Sequence, residues 1–278
     1  MTAANEGKME KNSGYAPVNG IKIYYEIHGA RRGDRKPLVL LHGGLLTIDL
    51  TFAKILPLLS KDRQVVAIEQ QGHGHTADRA GPVTMIQAAD DTAALLRHLK
   101  IEQADLFGFS FGGIIALGVA IRHPALVHRL AVGSANFNMA GYHPEIRALQ
   151  KDPNAKLSPE IAARLPSEAD FKAMMDDYTR TAPDPKGFPV IADKMTAMLN
   201  QWQGWEPKDL QAIKAPTLVM IGDSDFVLPE HALEMVRLIP DAQLAILPGT
   251  DHMGLLNRKD WLIPMLETFL EAPMKSRG

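Results

Sequence analysis

The sequence predicts an α/β fold in which helices cover both faces of a mostly parallel sheet. Short, nearly continuous apolar runs alternate with stretches of helical periodicity, and such runs are typical of strands buried on both faces. Strand and helix follow each other regularly along the chain, which favours parallel neighbours joined by crossover helices. A hairpin signal near the N-terminus adds an antiparallel edge.

The hairpin is predicted at Asn19-Gly20, between strand-like runs at Tyr15–Val18 and Ile21–Ile27. Asn-Gly favours this turn because both of its central residues need a positive φ. Residues 1–13 are polar and lack the apolar segment of a signal peptide, so we predict a disordered arm there.

The remaining strands are predicted from six apolar runs, which are Pro37–Leu41, Gln64–Ile68, Ala104–Phe109, Arg129–Val132, Thr217–Ile221 and Leu244–Leu247. Helical patterns lie between or after these runs, at about 49–61, 84–99, 111–122, 230–239 and 260–271.

Residues 137–211 interrupt the alternation, and we call this segment the insert. It has no convincing strand, and helix starts are predicted at Ser158 and at Ser167, where Asp170 completes a capping box. The insert is therefore predicted to be a helical cap over one end of the sheet. The predicted organisation is a disordered arm over 1–13, an α/β core over 14–136 and 212–278, and a helical cap over 137–211.

The amino-acid composition excludes several classes of function and of site. The formal net charge is −2, with Lys and Arg scattered, so no nucleic-acid partner is expected. The absence of cysteine excludes disulfides, thiolate zinc sites and a cysteine nucleophile. The longest apolar run, Ile114–Ile121, is too short for a membrane span. We expect a cytoplasmic protein whose oligomeric state stays open, with a homodimer as one option.

The most specific motif is Gly108-Phe109-Ser110-Phe111-Gly112. It follows a predicted strand and opens a predicted helix, which is the context of a nucleophile elbow. Flanking glycines prevent side-chain collisions in so tight a turn, and the helix N-terminus directs its positive dipole end at the serine. The plainer interpretation makes Ser110 an ordinary helix N-cap.

A serine nucleophile needs a base, and the base needs a carboxylate that orients it. One later strand runs into Asp223 and Asp225, and the next runs into Asp251 and His252. Both groups lie at C-terminal strand ends, where open α/β sheets place their sites. The order along the chain is serine, aspartate, histidine, although either group could also belong to an ordinary surface loop.

With these motifs the chain resembles the α/β-hydrolase fold proteins over nearly its whole length. The resemblance rests on HGG at 42–44, GFSFG at 108–112, GDSD at 222–225 and the histidine after the last strand. It implies Ser110 as nucleophile, His252 as general base and then acid, and Asp225 as the carboxylate that orients the ring. Asp223 is the rival acid and is expected to cap or stay solvated, and Asp251 is expected to be a loop residue.

The resemblance also implies an oxyanion hole of two backbone N–H groups. One belongs to Phe111, the residue after the nucleophile. The other belongs to Gly44, with Leu45 as the alternative. His42 is expected to shape the loop rather than act as a base. The methionines and tryptophans of the insert are expected to serve mostly in packing, with a few lining an apolar pocket above Ser110.

The main hypothesis is a serine hydrolase that cleaves a small to medium hydrophobic carboxylic ester or related acyl compound through an acyl-enzyme, without cofactor or metal. The same triad would also serve a lactonase, a C–C bond hydrolase or a cofactor-free perhydrolase. A third hypothesis is a ligand-binding protein that keeps the fold without catalysis.

The stretch EQQGHGHT, residues 69–76, contains two histidines beside a carboxylate. No third metal ligand is evident nearby, so a structural loop is the preferred interpretation. Similar proteins usually show D-x-R-G-x-G-x-S here, whereas this chain has Glu69 for Asp, Gln71 for Arg and Thr76 for Ser. If an Asp–Arg pair usually braces this loop, a substitute must exist elsewhere in this chain.

Overall fold

The protein contains one eight-stranded sheet, in a computed structural model that describes residues 11–152 and 154–274. The strands are β1 (Lys11–Val18), β2 (Ile21–His28), β3 (Leu38–Leu41), β4 (Val65–Ile68), β5 (Ala104–Phe109), β6 (Val127–Gly133), β7 (Thr217–Gly222) and β8 (Ala242–Leu247). Their order in space is β1-β2-β4-β3-β5-β6-β7-β8. β1 and β2 pair antiparallel with their neighbours, and β3 to β8 run parallel, which confirms the predicted fold class.

Eleven α-helices are found within the described residues, besides three short 3-10 turns. They are α1 (Ile48–Phe52), α2 (Leu56–Leu59), α3 (Met85–His98), α4 (Phe111–Arg122), α5 (Pro144–Lys151), α6 (Pro159–Ala162), α7 (Glu168–Thr181), α8 (Phe188–Gln201), α9 (Pro207–Gln211), α10 (Pro229–Leu238) and α11 (Lys259–Glu271).

Two apolar cores lie on opposite faces of the sheet. Along β3, Val39 and Leu41 belong to one core and Leu38 and Leu40 to the other, and all four are buried. Helices α3, α4 and α10 cover the first face, and α1, α2 and α11 cover the second. Burial on both faces explains why the parallel strands are continuous apolar runs in the sequence.

The N-terminal hairpin has the predicted turn, with φ of 47° at Asn19 and 79° at Gly20. The predicted disordered arm over 1–13 is wrong at its last three residues, because β1 already begins at Lys11. The Lys11 ammonium lies 2.6 Å from the buried Glu26 carboxylate on β2. An edge strand tolerates such polar residues, so its start is hidden from an apolar pattern. Residues 1–10 lie outside the described part.

The helix predicted over 49–61 is instead two short helices, α1 and α2. Pro57 lies in the first turn of α2, where its missing N–H is tolerated. In one continuous helix the proline ring would clash with the carbonyl of Ala53. The chain therefore starts a new helix at Leu56.

The insert contributes α5 to α9 between β6 and β7, and the described part of it contains no strand beyond a single bridge from Tyr142 to Val227. Ser158 caps α6, and Ser167 with Asp170 forms the capping box of α7, so both predicted helix starts are confirmed. Helix α8 lies against the loops that follow β3 and β4: a Cβ built on Gly44 would lie 3.1 Å from Met195 Cε.

No helix in the described part combines the length and apolar character needed to cross a bilayer.

Candidate active site

The turn between β5 and α4 holds Ser110 in a backbone conformation that L-residues rarely adopt, with φ 53° and ψ −119°. The Ser110 N–H donates to the Gly133 carbonyl at 2.8 Å, which fixes the turn against β6. A Cβ on Gly108 would lie 2.1 Å from the Gly112 carbonyl oxygen, and one on Gly112 would lie 2.0 Å from the Leu41 carbonyl oxygen. Both glycines of the motif are therefore needed for the backbones to approach this closely.

Three sequence-predicted residues meet at the C-terminal edge of the sheet. His252 Nε2 lies 3.0 Å from Ser110 Oγ, and His252 Nδ1 lies 2.7 Å from Asp225 Oδ1. Asp225 and His252 are buried, whereas Ser110 is partly exposed. The Val227 N–H also donates to Asp225 Oδ1, at 2.9 Å. A hydroxyl, an imidazole and a carboxylate in one hydrogen-bonded row can pass a proton from the hydroxyl to the ring.

Two aromatic rings hold the His252 imidazole in place. Phe226 stacks on it with ring centroids 4.0 Å apart, and Phe109 packs against it at 5.2 Å. Sequence reasoning missed Phe226, although it directly follows Asp225. Together with the carboxylate, these rings restrict the imidazole to an orientation that faces Ser110.

The two other aspartates of these loops lie apart from the histidine. The Asp223 carboxylate accepts the N–H groups of Gly249 and Thr250 at 3.0 and 3.1 Å, and these bonds lower its pKa. Asp251 Oδ1 accepts the N–H of Gly254 at 2.6 Å. Both carboxylates thus order the loops around His252 without touching its ring.

The loop after β3 lies beside the start of α4, so Gly44 is close to Phe111. The N–H of Leu45, the alternative oxyanion donor, donates to His73 Nε2 at 3.0 Å. The Gly44 N–H has no acceptor among the residues that the structure describes. Met195 of the insert covers Gly44, a contact that the sequence did not reveal beyond the helical spacing of apolar residues in α8.

The loop 69–76 has a substitute for the missing arginine. Gln71 accepts from Arg79 Nε at 2.7 Å, and the Arg79 guanidinium pairs with Asp91 of α3, a residue that is 1% exposed. Glu69 accepts both the N–H and the ring Nδ1 of His75, at 2.6 and 2.9 Å. The positive charge that braces this loop is therefore supplied by Arg79, eight positions after Gln71.

Neither His73 nitrogen is free for a metal ion. Nδ1 donates to the Gln71 carbonyl at 2.8 Å, and Nε2 accepts from Leu45. Within the described ranges, no group of three or more His, Cys, Asp or Glu side chains could hold a metal ion. Loop 69–76 is organised by hydrogen bonds within the protein.

Replacing Arg79 with glutamine is expected to destabilise the protein by about 3 kcal/mol, because it leaves the buried Asp91 carboxylate without its cation. The matched control is Arg122→Gln. It removes the partly exposed ion pair with Asp90, which lies on α3 like Asp91, and should cost less than about 1 kcal/mol. Urea unfolding of the three proteins measures both values. Equal losses of unfolding free energy in the two variants would show that the Arg79–Asp91 pair stabilises the protein no more than the Arg122–Asp90 pair does.

The comparisons with known proteins agree with this architecture. A profile of the alpha/beta hydrolase family matches residues 38–264. The chain is 27% identical over 293 residues to the proline iminopeptidase of Lactobacillus acidophilus, covering 95% of this chain and 99% of that protein. It is 29% identical over 271 residues to the 2-hydroxymuconate semialdehyde hydrolase of a Pseudomonas species, covering 85% and 90% respectively.

Among solved structures, Est816, described as an N-acyl homoserine lactone degrading enzyme, superposes with a TM-score of 0.74 at 24% identity, covering 92% of this chain and 100% of that one. The similarity to it shows a shared fold. The family profile spans most of the sequence, including the strands that carry the site. The chain therefore belongs to the alpha/beta hydrolase family, and it is a hydrolase.

Proposed function

We propose that the protein is a serine hydrolase that cleaves a small to medium hydrophobic carboxylic ester, or a related acyl compound, through an acyl-enzyme. The observation that carries the proposal is the row from Ser110 Oγ through His252 to Asp225, with distances of 3.0 and 2.7 Å. Both distances are within hydrogen-bond reach, as a nucleophile and its base require.

In this mechanism Ser110 Oγ attacks the carbonyl carbon of the substrate while His252 Nε2 takes the hydroxyl proton. The Asp225 carboxylate offsets the positive charge that the ring then carries. Collapse of the tetrahedral intermediate expels the alcohol, which receives the proton from His252. Water, activated by the same ring, then attacks the acyl-enzyme and releases the acid.

Two backbone N–H groups would stabilise the negative oxygen of the tetrahedral intermediate. Phe111 N–H lies at the N-terminus of α4, and Gly44 N–H is the remaining candidate because Leu45 is already engaged by His73. Each such donor is worth on the order of 3 kcal/mol in the transition state.

The size of the substrate is proposed from the cavity beside the site, which has a volume of about 360 Å³. It lies between helix α7 of the insert and the core. Its larger apolar lining residues are Leu46, Leu50, Phe109, Met174, Met253 and Leu256, and its rim also carries Asp49, Thr51, Lys54, Asp170 and Asn257. Phe109, whose ring packs against His252, and Met253, which follows His252 in the chain, both line it, so this cavity adjoins the proposed base. Neither this cavity nor a larger one of about 570 Å³, between α5 and the end of α8, is lined by Ser110, Asp225 or His252, but the larger one also lacks their chain neighbours.

We further propose that the insert acts as a cap. Thr47, beside the loop after β3, donates to Asp177 of α7 at 2.6 Å, and both side chains are buried. Met195 of α8 covers Gly44. Contacts from two different helices of the insert support a cap that closes the site from above.

A second candidate reaction is hydrolysis of a C–C bond in a vinylogous diketone. The 29% identity to a 2-hydroxymuconate semialdehyde hydrolase favours it, since that similarity extends over 85% of this chain. The same three side chains would serve, so the triad geometry does not separate this reaction from ester cleavage.

Labelling with a fluorophosphonate tests the proposed nucleophile. We expect stoichiometric modification of Ser110, located by peptide mass spectrometry, because His252 makes this hydroxyl nucleophilic. Ser110→Ala is the control and should not be labelled. A folded wild-type protein that resists labelling would favour the non-catalytic ligand-binding alternative.

The reaction itself is assigned with a panel of p-nitrophenyl esters of increasing acyl length, lactones and vinylogous diketones. Turnover is expected for short to medium acyl esters, and a fall with longer chains is expected from the size of the cavity. Rapid turnover of a diketone with no active ester would replace the esterase proposal by C–C hydrolysis.

A further inference from the structure

The backbone of the loop after β3 is held in an uncommon conformation. Leu45 has φ 58°, a left-handed value that is uncommon and costly for residues other than glycine. Its N–H donates to His73 Nε2 at 3.0 Å. A conformation of this kind persists only where surrounding contacts determine it, and His73 supplies the contact to the peptide group between Gly44 and Leu45.

The preceding peptide group is also fixed at its oxygen. The Gly43 carbonyl accepts from His42 Nδ1 at 2.8 Å and from the Leu46 N–H at 3.2 Å. In a trans peptide the N–H points opposite to the carbonyl, so these bonds set the direction of the Gly44 N–H. Two buried histidines thus hold two successive peptide planes.

His73 is in the form that this contact needs. Its Nδ1 donates to the Gln71 carbonyl at 2.8 Å, which leaves Nε2 as the acceptor. Burial lowers the pKa of His73 to about 4, and the titratable groups that face it are the His42 ring and Asp78. The ring is therefore neutral near pH 7, and Nε2 keeps its lone pair.

The same ring also contacts the second proposed donor. His73 stacks on Phe111 with centroids 5.9 Å apart and planes inclined by 22°. One side chain therefore holds the loop that carries Gly44 by a hydrogen bond and packs on the residue that carries the other N–H.

We propose that His73 is a positioning residue of the oxyanion hole, which occupies the Leu45 N–H so that the Gly44 N–H alone faces the substrate oxygen. This inference rests on the proposed function. The transition state depends on donors placed to within a fraction of an ångström, so release of the loop is expected to reduce the rate of acyl transfer rather than substrate binding.

The test compares His73→Phe, which keeps a stacked ring without its hydrogen bonds, with His73→Gln, whose Oε1 can accept from Leu45. We expect His73→Phe to lower kcat by about tenfold to hundredfold with KM little changed, and His73→Gln to recover much of the loss. The rates are normalised to the active fraction, titrated with the fluorophosphonate.

The control is His231→Phe. His231 is likewise buried, stacks on Phe137 and accepts a backbone N–H through Nε2, but it lies in α10, away from the loop of Gly44. Its kcat per active molecule should stay close to that of the wild type. A parallel fall in both variants, or an unchanged kcat in His73→Phe, would overturn the proposal.

Hydrogen exchange of the peptide covering residues 42–47 provides a readout that needs no substrate. His73→Phe should speed exchange there, and His231→Phe should not. The wild type could prove to be neither labelled by the fluorophosphonate nor active on any substrate, while His73→Phe still speeds exchange. That result would count against Ser110 as nucleophile but would support the role of His73 in holding the loop. Unchanged exchange would refute that hold directly.

Discussion

Asp225→Asn is expected to lower kcat by about 10⁴-fold, the effect of depriving a catalytic histidine of its carboxylate. Asp225 Oδ1 lies 2.7 Å from His252 Nδ1. The amide removes the negative charge that offsets the imidazolium. Its NH₂ group can also turn towards Nδ1 and hold the ring in the tautomer that cannot accept the proton of Ser110.

The measurement is kcat on the best substrate from the panel, with circular dichroism to show that the variant is folded. Asp223→Asn is the matched control, because the exposed Asp223 carboxylate accepts from the N–H groups of Gly249 and Thr250 and from the Ser224 hydroxyl, and makes no hydrogen bond to His252. It should change kcat little. A large loss in Asp223→Asn with full activity in Asp225→Asn would reverse the assignment of the acid.

The free energy of unfolding is expected to fall steeply as the pH drops below about 6.5. Burial lowers the pKa of His42 to about 3, and that of His73 and His231 to about 4. An unfolded chain binds protons at these histidines near their ordinary pKa of 6.5. Their contribution to stability is therefore present above pH 6.5 and is lost as the pH falls from 6.5 towards 4.

Each such histidine contributes a slope of about 1.4 kcal/mol per pH unit within this window. Three together approach about 4 kcal/mol per unit, enough to unfold a typical domain within a few units. His75 opposes the trend, since its hydrogen bond with Glu69 raises its pKa and its stabilising contribution is lost as the pH rises. His75 is a single, partly exposed group, so its effect on the pH dependence is smaller than that of the three buried histidines.

Urea unfolding at several pH values between about 7.5 and 4.5 measures this slope. His231→Phe removes one of the three groups and should flatten the curve by roughly a third relative to the wild type. A free energy of unfolding that stays constant from pH 7 to pH 5 would show that these histidines titrate in the folded protein.

The elements that were predictable share one property, which is that their signals are local. The turn at Asn19-Gly20, the parallel strands and the helix starts at Ser158 and Ser167 each depend on a few adjacent residues, and all are confirmed. The placement of Ser110, Asp225 and His252 at strand ends also follows from local patterns. The topology of an α/β sheet then brings these ends together.

The features that escaped prediction depend on side-chain contacts between different elements of the fold. Arg79 pairs with Asp91 of another element, and Met195 reaches Gly44 across the fold. No periodicity reports such contacts. The break between α1 and α2 is different, because Pro57 is a local signal in the sequence and the apolar spacing of 49–61 alone does not show the break.

The conformation of Ser110 has a consequence for how this protein can evolve or be engineered. With φ 53° and ψ −119°, the position suits glycine better than any residue with a side chain. Glycine there would relieve the backbone and remove the proposed nucleophile in the same step. Selection for thermostability and selection for catalysis thus act on this one residue in opposite directions, a trade-off located at the tip of β5.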